Sequence, residues 1–122
     1  MDVVNRDSVK PFVTKDGSLI REILAPANSR IKKQSLAEAT LAPGQATASH
    51  HHIETEEIYY ILDGGGMMEI EEDKHKVCKG DAIAIPPGSD HRLTNTGKEP
   101  LVFLCCCCPP YSHEDTIMND KA

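Results

Sequence analysis

Gly44-Gln45-Ala46-Thr47-Ala48-Ser49-His50-His51-His52-Ile53-Glu54-Thr55-Glu56-Glu57-Ile58-Tyr59-Tyr60-Ile61-Leu62-Asp63-Gly64 is the stretch whose reading decides the fold. Successive side chains of a strand point to opposite faces. As a strand, His50 and His52 share one face and His51 takes the other. Two imidazoles spaced this way on an interior face make a natural pair of metal ligands, although the same run also reads as a surface loop. Glu57 is the last acid before the apolar run Ile58 to Leu62. A carboxylate there can reach an ion held by the preceding strand, whereas Glu54 and Glu56 read as a solvated acidic loop. With Glu57 inward, Tyr59 and Ile61 fall on its face and Tyr60 on the opposite one.

Working outward, glycine and proline recur at short intervals: Gly17, Pro26, Pro43-Gly44, Gly64 to Gly66, Gly80, Pro86-Pro87-Gly88, Gly97, Pro100 and Pro109-Pro110. Between them lie short β-type segments: Ser18 to Leu24, Gln34 to Leu41, Ala46 to His52, Glu57 to Leu62, Met67 to Glu71, His75 to Cys78, Ala82 to Ile85, His91 to Thr94 and Leu101 to Cys107. Many short strands with turn signals at this spacing predict an all-β sandwich or barrel. No segment carries a helical period closed by good caps, and Pro43-Gly44 stops the one candidate, Ala37 to Ala42. Pro86-Pro87-Gly88-Ser89-Asp90 forms a tight turn that aims the next side chain, His91. Three histidines and a carboxylate form a coherent ligand set for one divalent transition metal: manganese, iron, nickel, zinc or copper.

The chain has 122 residues, enough for one domain. Its formal net charge of −6 and pI of about 5.4 leave no basic stripe for nucleic acid. No apolar run reaches membrane-spanning length and Met1 to Lys10 lacks a signal-peptide core, so a cytoplasmic location is expected, with no membrane partner. The cysteines, Cys78 and the run Cys105 to Cys108, are odd in number, and adjacent residues make poor disulfides. They read as free thiols used for packing, with Phe103, Cys105 and Cys107 on one face of their strand.

The order Gly44, five residues, His50, one residue, His52, four residues, Glu57, six residues, Gly64 resembles the first motif of the cupin superfamily. Gly80, five residues, Pro86, one residue, Gly88, two residues, His91, three residues, Asn95 resembles the second. The chain is thus similar to small single-domain bacterial cupins. The resemblance implies a double-stranded β-helix, or jelly-roll barrel, in which His50, His52, Glu57 and His91 hold the metal. It also implies structural roles for Gly44, Gly64, Gly80, Pro86, Gly88 and Asn95. The expected organisation is an N-terminal arm over residues 1–15, the barrel over 16–113 and a polar tail over 114–122.

Tyr59 is the candidate general acid or hydrogen-bond donor in the pocket. Its alternative is a packed core tyrosine. Glu38, among small alternating residues, is a candidate pocket base or an exposed strand carboxylate. Leu93 should face inward with His91, and Arg92 outward. With no tryptophan and two phenylalanines, a sugar-stacking platform is poorly supplied, and a small polar or carboxylated substrate on the metal is expected. Similar cupins carry out isomerisation, decarboxylation, lyase chemistry or dioxygenation, which makes a metal-dependent enzyme the first functional expectation. A non-catalytic metal-dependent binding module is the second. A storage-like structural barrel is the third, and the complete ligand set speaks against it. A homodimer is expected, because Ile58, Tyr60 and Leu62 give the barrel an apolar outer face.

Overall fold

The computed structural model describes residues 1–119. Its elements are a one-turn 3-10 helix, Arg6–Ser8, and the strands β1 (Phe12–Val13), β2 (Leu19–Leu24), β3 (Ser35–Leu41), β4 (His50–His52), β5 (Glu56–Asp63), β6 (Gly65–Ile70), β7 (Asp73–Cys78), β8 (Ala82–Ile85), β9 (His91–Asn95), β10 (Leu101–Cys108) and β11 (Thr116–Met118). One sheet runs β1-β2-β3-β10-β5-β8 and the other β11-β4-β9-β6-β7, every pairing antiparallel. This is the all-β architecture expected from the turn spacing and the jelly roll that the cupin resemblance implies.

The core fills the space between the sheets, and strand parity decides what enters it. β10 sends Leu101, Phe103, Cys105 and Cys107 inward. β5 sends in Glu57, Tyr59 and Ile61, leaving Ile58 and Tyr60 exposed at 50% and 42%. Leu93 on β9 is fully buried and Arg92 beside it is exposed. Leu41, Ile61, Met68, Leu93, Leu101 and Phe103 form the apolar floor beneath the histidines.

Gly64 shows why the crossing from β5 to β6, between the two sheets, needs glycine. Its φ is +82°, and a Cβ would lie 2.6 Å from the Pro100 carbonyl oxygen. Asn95 clamps the same end: its Nδ2 donates to the carbonyls of Leu41 (3.0 Å) and Glu99 (2.8 Å), and its Oδ1 accepts from Gly97 N (2.9 Å).

Three local expectations change. The strand expected over Ala46 to His52 is regular only from His50, because Ala48 N donates to the Asp16 carbonyl instead of a ladder partner. Within residues 1–15, Phe12–Val13 adds a strand to the edge of β2. Within the segment expected as a tail, Thr116–Met118 pairs with His52–His50. Residues 120–122 of that segment lie outside the described residues.

Candidate metal centre

β4 and β9 bring the three histidines together. They are antiparallel neighbours with His50 paired to His91, so two imidazoles stand side by side and His52 follows one pleat along. The ring centroids lie 4.2 Å apart for His50 and His91, 5.3 Å for His50 and His52, and 5.6 Å for His52 and His91. One nitrogen from each falls within 4.8 Å of the others, and all three residues are buried. His51 faces away, its Nδ1 2.8 Å from Asp90 Oδ1.

The remaining hydrogen bonds fix which nitrogen points inward. His50 Nδ1 lies 2.7 Å from the Ala48 carbonyl and His91 Nδ1 lies 3.0 Å from the Ser89 carbonyl. A carbonyl only accepts, so both Nδ1 atoms carry the proton. His52 Nδ1 meets Thr116 Oγ1 at 3.1 Å, and that hydroxyl donates its one proton to the Ser112 carbonyl at 2.8 Å. His52 Nδ1 is therefore a donor too. Each ring in this tautomer presents an Nε2 lone pair to the centre, the state a metal requires of neutral imidazole.

Glu57 enters from β5 in the opposite sheet. Its Oε1 is 3.2 Å from His52 Nε2 and 3.8 Å from His91 Nε2. Glu57 Oε2 accepts the thiol of Cys107 at 3.3 Å. Glu57 Oε1 and His91 Nε2 are buried and have no hydrogen-bond partner among the described residues. Leaving buried polar atoms unpaired costs about 1–3 kcal/mol each. A cation at this point answers both atoms at once, so the donor set fits a divalent metal. Burial and the neighbouring His50 lower the His91 pKa to about 4, keeping that imidazole neutral at ordinary pH.

The cluster opens into a small cavity of about 40 Å³. Tyr59 lines it, fully buried, with its ring 5.9 Å from that of His91 and 4.7 Å from that of Phe103. Burial, then the Glu57 charge, raises its phenol pKa well above the ordinary value, so Tyr59 keeps its proton. Glu38 corrects its expectation as a pocket base. β3 turns Ser35, Ala39 and Leu41 into the barrel, so Glu38 lies on the opposite face of the strand, buried under Arg6 of the arm in an ion pair of 2.9 Å.

Four residues without a motif also belong to the site. Asp16 lines the cavity, with Oδ2 3.7 Å from His50 Nε2. Thr116 fixes the tautomer of His52. Cys107, read as packing, donates to Glu57, and burial pushes its thiol pKa far up. Tyr111 stands at the wall, its ring 6.0 Å from that of His52 and its hydroxyl 3.3 Å from Thr14 Oγ1. None of the four carries a sequence signal of its own; Tyr111 and Thr116 reach the cluster because the segment after β10 returns to pair with β4 as β11.

Two antiparallel sheets enclose an inward histidine cluster that could hold a metal ion, the arrangement of a small β-barrel with a central site. The cupin domain family matches residues 37–107, and the chain belongs to the cupins. It is 54% identical over 110 residues to an uncharacterized protein of Methanocaldococcus jannaschii, covering 90% of this chain and 88% of that one. It is 33% identical over 131 residues to a glucose-6-phosphate isomerase of Thermococcus gammatolerans, covering 97% and 69%. Among solved structures, a predicted oxalate decarboxylase from Thermotoga maritima superposes with a TM-score of 0.78 at 26% identity, covering 88% of this chain and 99% of the other.

Proposed function

We propose that the protein is a metal-dependent cupin enzyme acting on a small organic molecule whose oxygen reaches the ion, by isomerase, decarboxylase, lyase or dioxygenase chemistry. The observation that carries this reading is the convergence of three Nε2 lone pairs with the unpartnered Oε1 of Glu57. In this reading His50, His52, Glu57 and His91 hold one divalent transition metal. The bound ion supplies Lewis acidity toward a carbonyl or enolate oxygen, or activates water or dioxygen.

The chain's own residues set the surroundings. The carbonyls of Ala48 and Ser89 and the hydroxyl of Thr116 hold the imidazoles in the ligating tautomer. Cys107 steadies the Glu57 oxygen that faces away from the cluster. Tyr59 keeps a proton at the cavity wall as a donor to bound substrate. Phe103 and Ile20 on the wall limit water. The similarity to a glucose-6-phosphate isomerase and to a predicted oxalate decarboxylase supports chemistry on a small, oxygen-rich molecule.

The test is elemental analysis of protein purified without added metal, beside His91→Ala, followed by oxygen-uptake and organic-acid turnover screens. About one equivalent of a transition metal in the native protein, lost in the variant, is expected. Metal-free native protein that takes up none of the five metals on titration would overturn the reading. Metal retention without turnover, and with Tyr59→Phe unchanged in ligand affinity, would favour the binding module.

A further inference from the structure

The charge of the cavity wall is one-sided. Its acidic side chains are Asp16, Glu22 and Glu57, and no lysine or arginine lines it among the described residues. The nearby cations are spent elsewhere. Lys15 Nζ donates to the carbonyls of His113 (3.2 Å) and Thr116 (2.8 Å), and Arg21 to that of Val9 (2.6 Å). Cationic side chains, arginine above all, are the usual clamps for phosphate and carboxylate. This wall therefore lacks the group that a sugar phosphate or a dicarboxylate would engage beyond the metal.

Asp16 is built to act on the cluster. Its Oδ1 accepts from both Ser18 N (2.9 Å) and Ser18 Oγ (2.6 Å), which fixes the carboxylate plane. Ser18 is itself 1% exposed. The other oxygen, Oδ2, is left aimed at His50 Nε2. With Glu57 beside His52 and His91, and Asp16 beside His50, two carboxylates already offset the charge of a divalent ion.

We infer that Asp16 sets the charge specificity of the centre: its fixed carboxylate weakens the binding of small dianions and accepts a hydrogen bond from a neutral hydroxyl-bearing ligand. This rests on the reading that the histidine cluster holds a metal, and it narrows the substrate class to neutral, hydroxyl-bearing compounds. The anionic ligands suggested by the two named relatives are then disfavoured here. A unit charge a few ångströms from a bound anion in a partly screened site is worth about tenfold or more in affinity.

The test uses cobalt(II)-loaded protein, with oxalate and hydroxyacetone as probes followed by the cobalt absorption bands and by calorimetry. Metal content is measured first in every sample. Asp16→Asn, or Asp16→Ser if the first does not fold, should shift the oxalate-to-hydroxyacetone affinity ratio toward oxalate by roughly tenfold. Asp16→Glu should keep the native preference. Asp73→Asn, an exposed carboxylate on β7, should leave the ratio unchanged. An equal ratio in the native and neutral variants with full cobalt content overturns the assignment of Asp16 and leaves the metal site standing. Failure of the native protein to bind cobalt overturns both.

Discussion

Thr116→Val is the sharpest probe of the site, because it changes no ligand. Thr116 is 1% exposed, and its hydroxyl accepts from His52 Nδ1 at 3.1 Å while donating to the Ser112 carbonyl at 2.8 Å. Valine keeps the shape and removes both bonds. Without metal, His52 has an escape: moving its proton to Nε2 lets it donate to Glu57 Oε1, 3.2 Å away. Binding a metal must reverse that move and strand Nδ1–H in the interior with no acceptor. Such a group costs about 1–3 kcal/mol, and outer partners of ligating histidines are typically worth 10–100-fold in metal affinity. We expect zinc affinity, measured by competition with a chromophoric chelator, to fall about 10–30-fold. Thr116→Ser, which retains the hydroxyl, should stay near the native value. Zinc affinity within twofold of native for Thr116→Val, in a folded variant, would refute the tautomer reasoning.

Acid should weaken the metal-free fold in a defined window. The His91 pKa is lowered to about 4 against an ordinary 6.5, so between those values the unfolded chain binds a proton that the folded one refuses. The stability is complete above pH 6.5 and falls by about 3 kcal/mol as pH drops to 4. Urea titrations across that range should show the slope, and His91→Gln should flatten it; parallel profiles would contradict the assignment. Gly64→Ala should destabilise by about 2 kcal/mol or more in denaturant melts, since it adds a positive-φ penalty to a 2.6 Å contact with the Pro100 oxygen. Exposed Ile58 and Tyr60 on β5 lead us to expect a homodimer by light scattering, and Ile58→Lys should yield monomers.

Period-two alternation made much of this legible. It separated His50 and His52 from His51, placed Tyr59 and Ile61 with Glu57, and put Leu93 inside and Arg92 outside. Applied from Leu41 backward, the same rule turns Glu38 outward, and its partner Arg6 lies 32 residues away in a segment without a pattern. Asp16 and Thr116 were illegible for a related reason. Each sits in a polar, short-range context, and each acts on a histidine 34 or 64 residues distant, through a turn and a return strand that only the closed fold brings into place. Asn95 could be placed by motif, but its three hydrogen bonds explain the position: it ties the ends of β3, β9 and β10.

His50, His52 and His91 belong to one sheet and Glu57 to the other. An ion gripped by all four would be a rivet through both layers of the barrel, placed where their inner faces would first part. Opening the sandwich and releasing the ion would then be a single event. A chelator would lower the melting temperature, and added metal would raise it in proportion to the logarithm of its concentration over the dissociation constant.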